Sequence, residues 1–377
     1  MTMATAPPLP ATKSDISAND AVVDLFMERA IDLIRLETGT RDKVWSLLDQ
    51  LQKDIVKTIN NIDIRGVDAS GHQRNRLAKL LKIVRASIQA TYRGANTLMA
   101  QEIREIADIE GTWTVNAINA SVHAEFADSG VTRQFLTTLA SDVLIQGAPT
   151  KEWWGRQAAG LADRFADEMR RGVALGESNS QLVDRVRGTK TQSGLMDVSR
   201  TSAERLVRAS VQTVANAARE ATYDANTDLI AALQWHATLD TRTSIYCITR
   251  DGHKYEPQDE HAAMDGGPPW LDGPGALHWG CRSTSVPVMK SWRDLGIDAD
   301  EIPKTTRSSM DGQVAHDLTF EDWLKKQSIA RQDDVLGKGK ADLWRAGKIK
   351  FRDLLDQNGR PLTTEELRAK TARKSAT

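Results

Sequence analysis

The sequence predicts an α-rich protein: an N-terminal helical bundle, then a small loop-rich α+β module, then an irregular C-terminal tail. Three observations predict it. Apolar residues recur at helical spacing from about residue 17 to 229. That period vanishes between Ile230 and Pro287, where strand-like alternation and Gly/Pro turns replace it. Beyond Phe320 the apolar residues are scattered among charges.

Residues 1–16 are rich in Pro, Ala and Thr and lack a charged segment followed by an apolar run, so a flexible arm is expected and not a secretory signal. Residues 17–146 form the first helical region. Val22, Leu25, Phe26, Ala30, Leu33 and Ile34 keep helical spacing. So do Val44, Leu47, Leu48, Leu51, Ile55 and Ile59, and then Leu77, Leu80, Leu81, Val84, Ile88 and Tyr92. Gly39 and Gly66 are the expected stops between these helices. Interleaved charges on the other faces favour a bundle with solvated exteriors over a partner-binding apolar stripe.

Residues 150–229 are helical too. Trp153 and Trp154 open an amphipathic stretch that ends near Gly172 or Gly176. Ser178 stands three residues before Gln181, the spacing of a capping box. Thr189–Asp197 reads as a loop, and the Ala-rich, breaker-free stretch from Thr201 to Asn226 as one long helix. Arg205, Arg208 and Arg219 on it are expected at the solvated surface.

Residues 230–290 change character. Leu233, Trp235, Ala237 and Leu239 alternate with polar residues, as in a half-buried strand. Turns follow at Asp240–Thr243, Asp251-Gly252, Gly266–Pro269 and Asp272–Gly275. Six of the ten tryptophans lie between Trp235 and Trp344. A loop-rich module needs bulky anchors, so these are expected in the core and not as a ligand platform. Residues 291–377 form a C-terminal extension that is locally basic, with ten Lys/Arg against five Asp/Glu from Lys340 onward.

Composition narrows the function. Lys+Arg total 50 and Asp+Glu 51, so nothing global draws the chain to nucleic acid or an acidic membrane. Its 40% hydrophobic and 27% charged residues are ordinary for a globular chain, and no apolar run approaches the roughly 18 residues of a membrane span. Two cysteines make no disulfide scaffold, and a reducing cytoplasm is the expected site of synthesis. The G-x-S-x-G elbow, the H-E-x-x-H helix and the zinc-deaminase pattern are missing. Gly337-Lys-Gly339-Lys340-Ala341 lacks both the spacing and the hydroxyl of a phosphate loop.

One constellation carries possible chemistry: Cys247, His253, His261, His278 and Cys281. His278 and Cys281 are three residues apart, as zinc ligands often are, but Cys247 has no nearby partner and a fourth donor would have to be His253 or His261. A Cys247–Cys281 disulfide and a catalytic Cys-His pair are further readings. Two buried thiols account for the pattern most simply. The sequence therefore assigns no catalytic residue, no metal and no cofactor.

From Gln234 onward the residues resemble a known family. Gln234-Trp-His-Ala-Thr-Leu-Asp240-Thr-Arg242-Thr-Ser-Ile-Tyr-Cys247, then Arg250-Asp251-Gly252, Pro268-Pro269, His278-Trp-Gly-Cys281-Arg282-Ser283 and Pro287 are similar in order and spacing to the core of the phage head-morphogenesis (Mu-F-like minor head protein) family. The resemblance extends over about 150 to 375, with Arg208-Ala209 where the family's helix often has an Arg-Thr pair. It marks Trp235, Asp240, Arg242, Cys247, Asp251, Gly252, His278, Cys281 and Arg282 as structural family-motif residues. Some members carry extra cysteines beside Cys247 and Cys281 in a pattern suggesting a metal knuckle; these are missing here, so no zinc site is carried over.

The resemblance implies a non-enzymatic minor head protein of a tailed bacteriophage. It would sit in the virion at the portal vertex or head interior, after assembly in the host cytoplasm, with a role in packaging or delivery of DNA. Its expected partners are the portal protein, a major capsid or scaffolding protein and packaged DNA, and no membrane. Lys340, Arg345, Lys348, Lys350 and Arg352 in the basic tail are candidate contacts to DNA or a partner, with a solvated extension as the plainer alternative. The competing readings are an internal DNA-binding virion protein acting through that tail, and an enzyme on a head-protein scaffold.

Overall fold

Helical periodicity turns into helix through most of the chain. The computed structural model describes residues 18–62, 71–122, 125, 127, 130–291, 293–295, 306–309, 312–315 and 318–374. The arm expected at 1–16 and the stop expected at Gly66 lie outside them.

Helix α1 spans Ala18–Asn61 and α2 spans Gly71–Val122. The stop expected at Gly39 does not occur: α1 runs through it. An interior glycine costs a helix about 1 kcal/mol relative to Ala. Burial of Leu33 before it and Val44 after it outweighs that cost. Thr40 and Lys43 also donate to Glu102 of α2, at 3.0 and 2.6 Å, and hold the adjoining turn.

Four further helices follow: α3 (Arg133–Asp142), α4 (Thr150–Ala174), α5 (Asn179–Arg187) and α6 (Leu195–Asp224). The expected capping box opens α5. The Ser178 side chain accepts the Gln181 N–H, and Gln181 Oε1 accepts the Ser178 N–H at 2.8 Å. The expected loop between α5 and α6 is a tight one. Gly188 has φ +85°, and a Cβ there would stand 2.6 Å from the Gly194 nitrogen, so only glycine fits.

Strand β1 (Ile230–His236) is the centre of a three-stranded antiparallel sheet. A four-residue helix α7 (Ile245–Ile248) leads to β2 (Lys254–Tyr255), and β3 (Thr284–Met289) lies on the other side. The register pairs Leu233 with Tyr255 and Trp235 with Ser285. A separate hairpin, β4 (Thr306–Ser309) and β5 (Gly312–Ala315), precedes α8 (Phe320–Lys325), α9 (Ile329–Leu336), α10 (Lys338–Arg345) and α11 (Thr364–Lys374). The α-rich class is therefore the observed one. Within the tail, the anchors Phe320, Trp323, Leu336, Trp344, Ile349, Phe351 and Leu354 are all buried. Short helices joined by tight turns carry most of them.

Contacts divide the chain into two units. One holds residues 34–104 and 141–211, and is a helical bundle. Its core includes Leu48, Ile55, Val84, Ile88, Tyr92, Trp154, Leu161, Phe165 and Leu206. The other holds 1–33, 105–140 and 212–377 and is organised on the sheet. Its core includes Phe26, Trp113, Tyr223, Leu233, Trp235, Tyr255, Trp270 and Trp323. Helices α1, α2 and α6 contribute residues to both units. The tryptophans expected as anchors, Trp235, Trp270, Trp323 and Trp344, are buried; Trp279 is 40% exposed and Trp292 lies outside the described residues. Among the described residues no helix is long and apolar enough to cross a membrane.

Candidate functional site

Beneath the sheet lies a buried charge cluster. Arg219 was expected at the surface; it is fully buried. Its Nε donates to Glu110 at 2.6 Å, and its Nη1 donates to Thr284 on β3. Arg29 of α1 donates to the second Glu110 oxygen at 3.0 Å. The correction has a simple cause. Arg219 shares the apolar face of α6 with Val211, Ala215 and Thr222, all buried, and a carboxylate waits there to pair with it. That spacing was the signal the sequence offered. Arg205 is exposed, and Arg208 pairs with Glu37 at 2.9 Å.

Above this base, β1 carries Trp235 into the core. Its ring meets Trp270 edge-on with centroids 5.3 Å apart. The guanidinium of Arg250 lies 5.7 Å from its centre. Arg250 is also fully buried and donates to the carbonyls of Pro269 at 2.8 Å and Tyr246 at 2.7 Å. Burial holds its pKa below the ordinary arginine value. Arg250 thereby ties α7 to the Pro268-Pro269 turn, a link that no local pattern signals because the two carbonyls lie on separate segments.

Two aspartates fasten the turns after β1. Asp240 takes a bidentate bond from Arg282, at 2.6 and 2.9 Å, and also accepts the Arg242 N–H at 2.9 Å and the Thr243 hydroxyl at 3.1 Å. Burial pushes its carboxyl up, but Arg282 and the other donors outweigh this and hold it below the usual range. Arg242 serves through its backbone, and its side chain is exposed. Asp251 accepts the Ala237 N–H at 2.7 Å and the Phe320 N–H at 2.6 Å. It thus joins the end of β1 to the start of α8. Gly252 follows with φ +81°, a conformation that favours glycine, and returns its N–H to the Trp235 carbonyl at 2.8 Å.

The third group is Cys247, His278 and Cys281. Their Sγ, Nε2 and Sγ atoms all lie within 4.8 Å of one another. Cys247 Sγ is 3.2 Å from His278 Nε2 and 3.6 Å from Cys281 Sγ. Ser244, which caps α7, places its hydroxyl 2.7 Å from the same Nε2. Both cysteines are buried. The hydrogen bond from Cys247 holds the Cys281 thiol well below its ordinary pKa; burial opposes this and His278 adds to it. Cys247 is pushed the other way, by the same bond and by burial. His253 and His261, the fourth donors the sequence offered, are elsewhere. His253 pairs with Asp265 at 2.9 Å, and His261 packs its ring on Trp270 with centroids 4.6 Å apart.

The tail cations do not form one site. Lys340 is half-buried, and Arg345 is tied to Asp333 at 2.8 Å and to Asp342. Lys348, Lys350 and Arg352 are exposed.

Every residue that the resemblance marks thus lies in one module, where Asp240, Asp251 and Arg282 spend their side chains on internal bonds. Residues 163–286, from within α4 to within β3, match the family model described as phage Mu protein F like protein. No curated protein and no solved structure matches the chain.

Proposed function

We infer, from a chain whose residues 163–286 carry the phage Mu protein F like domain, that this is a head-morphogenesis protein: a non-enzymatic minor head protein that joins the portal vertex as the virion head assembles. The family match carries the reading. The site chemistry supports it, because the motif carboxylates are already committed. Asp240 is engaged on both oxygens by Arg282 and by its own turn, and Asp251 accepts one backbone amide on each oxygen. An acid held so by internal donors acts as a fastener of the fold.

The test is co-expression with the portal protein of the same genome, followed by native mass measurement. Several copies bound per portal ring are expected. Free protein beside a folded, assembled portal would overturn the reading.

A second reading rests on the exposed Lys348, Lys350 and Arg352. They offer phosphate contacts to packaged DNA. Because Trp344, Phe351 and Leu354 of the same segment are buried, charge removal is a cleaner test than truncation. Changing the three cations to Gln should lower the salt slope of DNA binding by about 0.9 per lost contact. An unchanged slope excludes this segment.

A further inference from the structure

We propose that Cys247, His278 and Cys281 bind one Zn2+ ion, with a water molecule beside Ser244 as the fourth donor. Cys247 comes from α7, and His278 and Cys281 from the turn before β3. The ion would clamp two loop segments that no strand pairing joins.

The spacing fits a tetrahedral ion. Zn–S bonds of about 2.3 Å at tetrahedral angles put two sulfurs about 3.8 Å apart, and a Zn–N bond of about 2.0 Å puts sulfur and nitrogen about 3.5 Å apart. The observed separations are 3.6 Å for Cys247 Sγ to Cys281 Sγ and 3.2 Å for Cys247 Sγ to His278 Nε2. A disulfide needs about 2.05 Å between sulfurs and gives the histidine nothing to do.

The surroundings favour ligand forms of all three groups. His278 Nδ1 lies 3.0 Å from the Trp279 carbonyl, to which it can only donate, so Nε2 carries the lone pair. A backbone carbonyl on the far nitrogen is the usual support of a zinc-bound histidine. The Gly275 N–H donates to Cys281 Sγ at 3.2 Å, as expected beside a thiolate. Without an ion, the Ser244 hydroxyl and the Cys247 thiol both converge on the single Nε2 lone pair. With an ion, the lone pair goes to the metal, the thiols lose their protons, and the Ser244 hydroxyl is free to hold the water. His278 is only half-buried, which leaves an entry path.

The experiment uses untagged full-length protein, purified under reducing conditions without chelator. Elemental mass spectrometry should find zinc at one equivalent per chain. Replacing it with Co2+ should give a sulfur-to-metal charge-transfer band. His278→Asn and Cys281→Ser should each lower zinc affinity by about tenfold or more, and Ser244→Ala by about tenfold with the charge-transfer band retained. If a variant does not fold, the cobalt spectrum and the proton release of the wild-type chain on zinc addition still decide. Metal-free protein with two titratable thiols and no Co2+ uptake would overturn the proposal. So would an intact mass showing the two cysteines oxidised to a disulfide.

Discussion

The helical unit of residues 34–104 and 141–211 and the sheet module around β1 reach stability by different means. In the helical unit, Leu48, Ile55, Val84, Ile88 and Phe165 form the core; ion pairs such as Arg85 with Asp163 lie at the surface, and buried Glu37 and Glu102 pair with the more exposed Arg208 and Lys43. Each buried side chain of that kind contributes about 1.5–3 kcal/mol, and no single one is indispensable. The module buries an apolar core too, but little of it is regular structure. Its turns and helix ends leave backbone amides and carbonyls without strand or helix partners, and half-buried Asp240 with buried Asp251 and Arg250 supply them. A region stabilised by area tolerates conservative change. A region stabilised by directed bonds does not, because removing one partner strands the other in a low dielectric.

The largest expected effect lies in the charge cluster. Arg219→Met leaves Glu110 buried with Arg29 as its remaining cation, and should cost about 3–5 kcal/mol. Urea unfolding followed by near-UV circular dichroism reads this directly. A loss below about 1 kcal/mol would mean that Arg29 alone satisfies Glu110, and the contrast between the regions would narrow.

A matched pair of substitutions sharpens the contrast. Asp251→Ala frees two buried amides, those of Ala237 and Phe320, and should cost about 2–4 kcal/mol. Leu48→Met in the helical unit keeps its volume and should cost less than about 1.5 kcal/mol. Comparable losses in the two variants would remove the distinction.

The pH dependence of stability extends the comparison, and two carboxylates should give opposite signs. Asp240 is held below its ordinary pKa, so the unfolded chain binds the proton more readily. Its contribution is present above the ordinary carboxylate pKa and is lost as pH falls through the folded value. Asp240→Asn should flatten that acid limb. Glu220 is pushed up to about 8, first by burial, against the hydrogen bond from Ser285, with Asp224 adding to the rise. Among the described residues its Oε2 has no hydrogen-bond partner, and His261 Nε2 lies 3.8 Å from it. The folded chain keeps this proton where the unfolded chain, near the ordinary 4.5, has released it. Stability therefore falls as pH rises from there through about 8, and Glu220→Gln should remove that fall. Unfolding midpoints measured across this range check both signs.

Much of the fold was legible because helices announce themselves locally. The period of α4, the Ser178–Gln181 box and the unbroken run of α6 each depend on residues within a few positions of one another. The candidate site was legible in part. The ordered motif from Trp235 to Arg282 named its residues, and the Asp251-Gly252 turn stands where expected. Their partners were not legible: Phe320 for Asp251, Pro269 for Arg250 and Glu110 for Arg219 lie 69, 19 and 109 positions away.

The sequence by itself determined the α-rich class, the helical character of residues 150–226 with the Ser178 cap, and the change to strand and turn after Ile230. Periodicity and turn chemistry are short-range properties and survive without knowledge of the rest of the chain. Only the tertiary structure decided that α1 continues through Gly39, that Arg219 is a core cation, and that Cys247 meets His278 and Cys281 while His253 and His261 do not. In each case the outcome depends on what packs opposite the residue. A glycine's helical cost or a charge's desolvation is settled by neighbours distant in sequence, and a metal site exists only where the fold brings its donors within a bond length of one point.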